Sequence, residues 1–125
     1  WNWACLSGQA GAQRVGLNLS CGVNETSFSE NCYWLDGELI KVDGVHFTFD
    51  RDQPLQPWRI RSHDGQVELH FEGRGLHREQ TNLGVLASNF KQIFGRFTGV
   101  LRPIGRAEVR IDNLWGFVED QYVKW

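Results

Sequence analysis

The chain has 125 residues, of which 41% are hydrophobic and 22% charged, and these values are ordinary for one soluble globular domain. The formal net charge is −2, and the arginines are spread singly without any run of Lys or Arg. The composition therefore argues against a nucleic-acid partner, which needs a basic surface. It also argues against a membrane span, which needs about 20 apolar residues in succession.

Aromatic residues are unusually frequent, at 13% of the chain with 6 Trp and 8 Phe. Burial of aromatic side chains is the main source of folding energy available to a domain of this size, and it has to offset the entropy lost on ordering the backbone. Most of these aromatics are therefore expected to form the core. An individual Trp or Phe is a weak pointer to a ligand.

The cysteines indicate the redox compartment of the chain, and its first residues indicate that it is part of a longer protein. Cys5, Cys21 and Cys32 cannot all pair within one chain, and none lies in a C-x-x-C arrangement, so we expect free thiols in a reducing, cytoplasmic setting. The chain opens on Trp1-Asn2-Trp3 without an initiator Met or a targeting segment. This opening predicts a piece of a longer protein.

Period-two alternation recurs along the chain, as in Val15, Leu17 and Leu19 with polar residues between them. It predicts strands at 2–8, 13–21, 30–35, 38–42, 45–49, 57–62, 66–72, 90–102, 106–113 and 115–124. Residues 76–90 lack a pattern and are predicted to hold a helical turn or a crossover loop. The dipeptides Asp36-Gly37 and Asp64-Gly65 predict tight hairpin turns, and Asp43-Gly44 is a third candidate.

Closely spaced strands of this kind predict an all-β fold, either an antiparallel barrel or a β-sandwich. Gly95 and Gly99 fall in phase with Ile93 and Phe97 in the strand at 90–102. Glycine inside a strand marks a bend or a close approach of backbones. A strongly coiled strand that helps to close a barrel explains both glycines, and the barrel is the preferred architecture for 1–125.

Several segments resemble one known family along the whole chain. They are Trp1-Asn2-Trp3-Ala4, Trp58-Arg59-Ile60, Gly95-Arg96-Phe97-Thr98-Gly99, Gly116-Phe117-Val118-Glu119 and the closing Trp125. The chain resembles the C-terminal half of the bacterial domain-of-unknown-function family numbered 2804. The resemblance implies a missing N-terminal domain as partner. More remotely, it implies a likeness to lipocalin-like, two-barrel proteins such as carotenoid hydratases and tocopherol cyclases, which handle long apolar molecules. No catalytic residue carries over.

No catalytic constellation is visible in the sequence. A G-x-S-x-G elbow is absent, no phosphate loop is present, and the histidines lack metal-binding spacing, so no metal and no cofactor are predicted. Glu119 and Asp120 are neighbours and should point to opposite faces of a strand. Glu119 is interpreted either as a buried carboxylate with a chemical role or, preferably, as an ion-pair partner of Arg96 or Arg59.

The tryptophans suggest weak binding hypotheses. In a hollow barrel, Trp58 with Arg59 and Trp115 with Glu119 would each combine an apolar wall and a polar anchor for a ligand. The preferred alternative is that the aromatics form core and interface, with Trp1 and Trp3 at the interface with the missing domain.

The leading functional hypothesis is a binding or structural half of a two-domain protein that encloses an apolar small molecule such as a lipid or isoprenoid. The runner-up is half of an enzyme that acts on a lipid or isoprenoid at the junction of the two domains. A pure interaction module is the third hypothesis, and it would show a flat aromatic patch without a cavity.

Overall fold

A computed structural model describes residues 1–22, 29–84 and 87–124, so Trp125 lies outside the described residues. In these ranges the chain forms strands and no helix, and the prediction of an all-β fold is confirmed. No helix that could cross a bilayer therefore occurs in the described part. The strands are β1 (Asn2–Ala10), β2 (Gln13–Cys21), β3 (Cys32–Leu35), β4 (Glu38–Lys41), β5 (Val45–Thr48), β6 (Trp58–Ser62), β7 (Val67–Asn82), β8 (Ala87–Leu101) and β9 (Val109–Lys124).

The nine strands form one antiparallel sheet in the order β4-β3-β2-β1-β9-β8-β7-β6-β5. The first and last strands pair in the middle of the sheet, where Asn2 lies opposite Asp120 and Leu6 opposite Gly116. The sheet is strongly curled into a half-barrel, as the barrel prediction required. Because there is one sheet and not two packed sheets, the sandwich alternative does not apply to the described residues.

The strand count explains why the barrel stays open between β4 and β5. Nine antiparallel strands in a row leave the two edge strands running in the same direction. These edge strands are consecutive in the chain and are joined by residues 42–44 alone. A parallel pair needs a crossover of about a dozen residues. The chain therefore cannot pair β4 with β5 along their length. The predicted turn at Asp43-Gly44 is accordingly a link between opposite sheet edges.

Buried polar side chains close the seam between the two edges. The Tyr33 hydroxyl donates to Gln66 Oε1 at 2.9 Å, and Gln66 Nε2 donates to the carbonyl oxygen of Lys41 at 3.0 Å. Burial raises the pKa of Tyr33 to about 12, the charge of Asp64 adds to this increase, and Arg106 opposes it. The seam thus relies on hydrogen bonds between side chains and backbone in place of a strand ladder.

The concave face of the sheet holds the core. Alternation directs one residue in two of each strand inward, so that Leu17 and Leu19 are buried while Asn18 between them is only partly covered. Twelve core residues have an exposed fraction of 0%: Ala4, Leu19, Tyr33, Trp58, Ile60, Leu69, Phe71, Ile93, Phe97, Leu101, Ile111 and Val118.

Glycines mark the bend of the long strands. Gly73, Gly95 and Gly116 lie side by side on β7, β8 and β9. A Cβ atom at Gly95 would collide with the carbonyl oxygen of Glu72, and one at Gly116 would collide with that of Cys5. The expectation of a close backbone approach in this strand is confirmed.

Two predicted element boundaries are wrong. Residues 76–82 and 87–90, expected to be a turn or crossover, extend β7 and β8. The pairing of β6 with β7 ends at Trp58 opposite Phe71, so the rest of β7 has no core beneath it and carries no alternation. The predicted strands at 106–113 and 115–124 are one strand, β9, which begins only at Val109 and in which Asn113 has a φ of 51° beside a register shift.

Candidate functional site

The outer face of the sheet carries an aromatic patch, defined here as Trp1, Trp3, Phe94, Trp115 and Phe117. The rings of Trp3 and Phe117 meet edge to face with centroids 5.3 Å apart, and those of Phe94 and Phe117 are 5.7 Å apart. Trp1, Phe94 and Trp115 are 44%, 48% and 54% exposed. A connected apolar row on a solvent-facing sheet surface is uncommon in monomeric proteins and usually marks a contact site.

Register and alternation bring this row together. Phe94 on β8 lies directly opposite Phe117 on β9, and Phe117 lies opposite Cys5 on β1, two residues after Trp3. Since Ala4 and Val118 point into the core, their neighbours Trp3 and Phe117 point outward. Strands from both ends of the chain therefore build the patch.

A pocket of about 330 Å³ lies at the edge of the aromatic patch. It is lined by Trp1, Trp3, Asn18, Ser20, Glu30 and Glu119. Trp3 Nε1 donates to Asn18 Oδ1 at 2.7 Å, and Asn18 Nδ2 donates to the carbonyl oxygen of Glu30 at 3.2 Å. Gln92 Nε2 donates to Glu119 Oε1 at 2.9 Å. We call this space the Trp–Glu pocket.

Sequence reasoning brought Trp58 and Arg59 together, but the structure does not. Trp58 is fully buried, stacks on Phe49 with centroids 3.8 Å apart, and donates from Nε1 to the carbonyl oxygen of Pro54 at 2.8 Å. Arg59 is exposed on the opposite face and pairs with Glu68 at 3.3 Å. Adjacent strand residues point to opposite faces, so these two side chains cannot share one site.

Trp115 and Glu119 do share the outer face but contact different partners. The Arg96 guanidinium lies over the Trp115 ring, 4.3 Å from its centroid, and Arg96 Nη1 also donates to the carbonyl oxygen of Asn113 at 3.0 Å. Because Arg59 pairs with Glu68, neither arginine expected beside Glu119 is there. Glu119 forms no ion pair with any described residue and lines the pocket that Trp1 and Trp3 also line.

The expected separation of Glu119 and Asp120 is confirmed. Asp120 points inward and is only 5% exposed. Its carboxylate accepts from Arg51 Nε at 3.1 Å and from Asn2 Nδ2 at 3.2 Å. The two carboxylates therefore have different surroundings and cannot act as an acid–base pair.

Sequence reasoning missed a charged patch on the other half of the outer face, defined here as Arg59, Arg61, Glu68, Arg102 and Arg110. Glu68 accepts from Arg102 Nη1 at 3.1 Å and from Arg59 Nη2 at 3.3 Å, and these bonds hold the pKa of Glu68 below its ordinary value. Cavities of about 530 and 460 Å³ flank Glu68 and Arg102. The spacing of Arg59 and Arg61, two apart on one strand, was the available signal.

The surroundings of two cysteines, Cys5 and Cys32, raise the pKa of their thiols. Burial raises the pKa of Cys5, and the nearby Glu119 charge raises it further. Burial likewise raises the pKa of Cys32, against the opposing charge of Lys41. A protonated thiol is a poor nucleophile and a poor metal ligand. Across 1–22, 29–84 and 87–124, no three His, Cys, Asp or Glu side chains group closely enough to hold a metal ion.

Comparison with known proteins identifies the family. No curated protein and no solved structure shows significant similarity to the chain. One family model, described as "Domain of unknown function (DUF2804)", matches residues 1–125. Because the match covers the full length, it includes the curled sheet, the aromatic patch and the Trp–Glu pocket. The chain belongs to the DUF2804 family.

Proposed function

We propose that this domain is a non-enzymatic structural and binding module that associates, through its aromatic patch, with a second domain of the same protein. The observation that carries the proposal is the connected row of Trp3, Phe117 and Phe94 rings on the outer face. The partner is the N-terminal half that the family resemblance implies, and its contacting surface is apolar.

The size of the exposed apolar surface supports association. Aromatic side chains bury roughly 150–250 Å² each, so covering a half-exposed ring removes on the order of 100 Å² from water, or roughly 2.5 kcal/mol. Trp1, Phe94 and Trp115 are all near half exposure. Several such rings offset the cost of holding two domains that are already tethered in one chain.

A small apolar molecule enclosed by the barrel is the alternative binding role. It has less support, because Trp58 is fully buried and stacks on Phe49. A lipid or isoprenoid mass that co-purifies with the intact protein, seen by native mass spectrometry, would favour it. The lipocalin-like relationship belongs to the same alternative and is supported by the curled antiparallel sheet.

An enzyme acting on a lipid or isoprenoid at the domain junction is the second candidate. The observation in its favour is the position of Glu119, which lies beside the aromatic patch with an amide partner and no ion pair among the described residues. A reducing, cytoplasmic setting is proposed with either role and is supported by Cys5 and Cys32, which form no disulfide.

Hydroxyl-radical footprinting tests the docking proposal on the protein as it exists. The 125-residue chain and the intact gene product are labelled side by side, and oxidation of each aromatic residue is measured by mass spectrometry. We expect Trp3, Phe94, Phe117 and Trp115 to be oxidised several-fold less in the intact protein, because the second domain covers them.

Exposed aliphatic residues outside the patch are the matched control. Ile104 and Leu83 are 81% and 69% exposed and should be labelled equally in both samples. Equal labelling of the aromatic patch in the two samples would overturn the proposal. Protection that appears in the isolated chain and grows with its concentration would identify a second copy as the occupant and would also count against it.

A further inference from the structure

We propose that the Trp–Glu pocket binds an organic cation, namely a substituted ammonium or guanidinium group. This inference goes beyond the proposed function, although the pocket shares Trp1 and Trp3 with the aromatic patch. It rests on the chemistry of the six side chains that line the pocket and on the hydrogen bonds that hold them.

The pocket combines π-faces with uncompensated negative charge. Two tryptophans, Trp1 and Trp3, and two carboxylates, Glu30 and Glu119, contribute to its lining, and no Lys or Arg does. Neither carboxylate forms an ion pair with any described residue. Indole rings attract cations through their quadrupole, and carboxylates attract them directly. A cation is the ligand that satisfies both features at once.

The walls of the pocket are fixed in advance. Asn18 connects two of them, since it accepts from Trp3 Nε1 at 2.7 Å and donates to the carbonyl oxygen of Glu30 at 3.2 Å. The edge contact with Phe117 orients the Trp3 ring further. Gln92 holds one Glu119 oxygen at 2.9 Å, and no other described residue donates a hydrogen bond to the second oxygen. Preorganised groups lose little entropy on binding.

The backbone of Trp1 also contributes to this rigidity. Its terminal ammonium group donates to the carbonyl oxygen of Gln121 at 2.6 Å, and its carbonyl oxygen accepts from the Gln121 nitrogen at 2.9 Å. The β1–β9 pairing therefore continues to Trp1 and fixes the origin of the indole at the pocket edge. The volume of about 330 Å³ is at the small end of the ligand sites found in proteins, roughly 300–1,000 Å³.

The two cavities beside the charged patch have the opposite character. The cavities beside the charged patch are lined by Arg61, Arg102 and Arg110 and contain no tryptophan. Their one shared carboxylate, Glu68, is already paired with two arginines. Among these spaces, the Trp–Glu pocket alone offers open carboxylates beside aromatic faces.

Choline and its neutral carbon isostere, 3,3-dimethyl-1-butanol, are the probes that test the proposal. They have nearly the same shape and differ in charge. Binding to the 125-residue chain is measured by isothermal titration calorimetry and by ligand-observed NMR. We expect choline to bind at least tenfold more tightly than the isostere. Equal binding of the two, or no binding of choline, would overturn the proposal.

Variants locate the site. Glu119→Gln keeps the shape and the Gln92 contact but removes the charge, and Trp1→Leu removes a half-exposed π-face; each should weaken choline binding about fivefold or more. The matched controls are Glu72→Gln and Trp34→Leu, which alter an exposed carboxylate and an exposed indole outside the pocket and should leave binding unchanged. Unchanged binding in both pocket variants, with normal circular dichroism and melting, would contradict the assignment.

Repeating the titration with the intact gene product distinguishes two sources of the cation. Choline binding that persists there identifies a free alkylammonium molecule as the ligand. If the intact protein excludes choline and Glu119→Gln lowers its protection of the pocket tryptophans, a Lys or Arg side chain of the protein supplies the cation. Exclusion of choline with protection unchanged by Glu119→Gln would mean that an apolar surface covers the pocket and would count against the proposal. An intact protein whose pocket is open and yet does not bind choline would count against it.

Discussion

The aromatic patch and the charged patch occupy two halves of one outer face, and β9 contributes to both. The charged patch satisfies itself, because Glu68 pairs with Arg59 and Arg102 across neighbouring strands. The aromatic patch does not: Trp3, Phe117 and Phe94 contact one another. Trp1, Phe94 and Trp115 nevertheless remain near half exposure. Strand alternation determines which residues face outward. The contacts that these residues make with one another then determine whether exposed apolar surface is left for a partner or ligand to cover.

The largest expected effect comes from removing the sheet curvature that both patches share. Gly95 lies between Phe94 and Arg96, and a Cβ there would collide with the Glu72 carbonyl oxygen. We expect Gly95→Ala to lower the free energy of unfolding by about 3 kcal/mol or more, because the strands would have to separate. Chemical denaturation measures this change.

Gly75→Ala on β7 is the matched control for that variant. No atom lies within 4 Å of a Cβ built at Gly75, and its φ is not in the left-handed region. Its stability should therefore stay within about 1 kcal/mol of the parent. Comparable losses in the two variants would show that the glycine row has no steric role.

The next prediction has an intermediate effect and concerns Tyr33 in the seam between β4 and β5, which belongs to neither patch. The pKa of Tyr33 is about 12, against 10.0 for a free tyrosine, so the folded state favours the protonated phenol. The stability that the folded state gains by keeping this phenol protonated is fully present below pH 10 and is lost as the pH rises from 10 to 12. At 1.36 kcal/mol per pKa unit, the loss is roughly 2–3 kcal/mol. Denaturation at pH 8, 10 and 11 should show it.

Tyr33→Phe should reduce that alkaline slope, and the exposed Tyr122→Phe should not. At neutral pH, Tyr33→Phe should itself cost about 1–3 kcal/mol, because the buried Gln66 Oε1 loses its donor. If the two phenylalanine variants had the same alkaline slope, the titration would have to be assigned to another group.

The smallest effect concerns the boundary between the patches, where Arg96 lies over Trp115. An exposed cation–π contact contributes about 0.5–1 kcal/mol. We expect that coupling energy from a double-mutant cycle of Arg96→Gln and Trp115→Leu, with Arg96→Lys retaining part of it. A coupling energy near zero would mean that Arg96 does not stabilise Trp115, and it would strengthen the proposal that a partner covers this ring.

Much of this fold could be predicted from the sequence wherever one side of a strand meets a core. Val15, Leu17 and Leu19 alternate because β2 has a buried face and an outer face. Asp36-Gly37 predicted a tight turn correctly, because φ values of 50° and 84° are those that Asp and Gly tolerate. The extension of β7 beyond Gly75 could not be predicted, since no core underlies it and hydrophobicity there carries no period.

The candidate site was predictable in its residues but not in its grouping. Trp1, Trp3 and Glu119 were each singled out, yet their convergence depends on β1 pairing with both β2 and β9. That pairing joins residues more than a hundred positions apart, and local patterns contain no information about it. Trp58 was grouped with Arg59 only because they are adjacent in the chain, and adjacency in a strand separates side chains.

The pairing of β1 with β9 also has a consequence for biosynthesis. Of the nine strands, β1 leaves the ribosome first and β9 last. Until β9 has emerged, β1 can pair only with β2. During that interval the free side of β1 offers unpaired N–H and C=O groups next to Trp3 and Cys5, which is a template for aggregation or for a chaperone. The strand edge that is most exposed to aggregation during synthesis is thus the side of β1 that later pairs with β9 in the middle of the sheet.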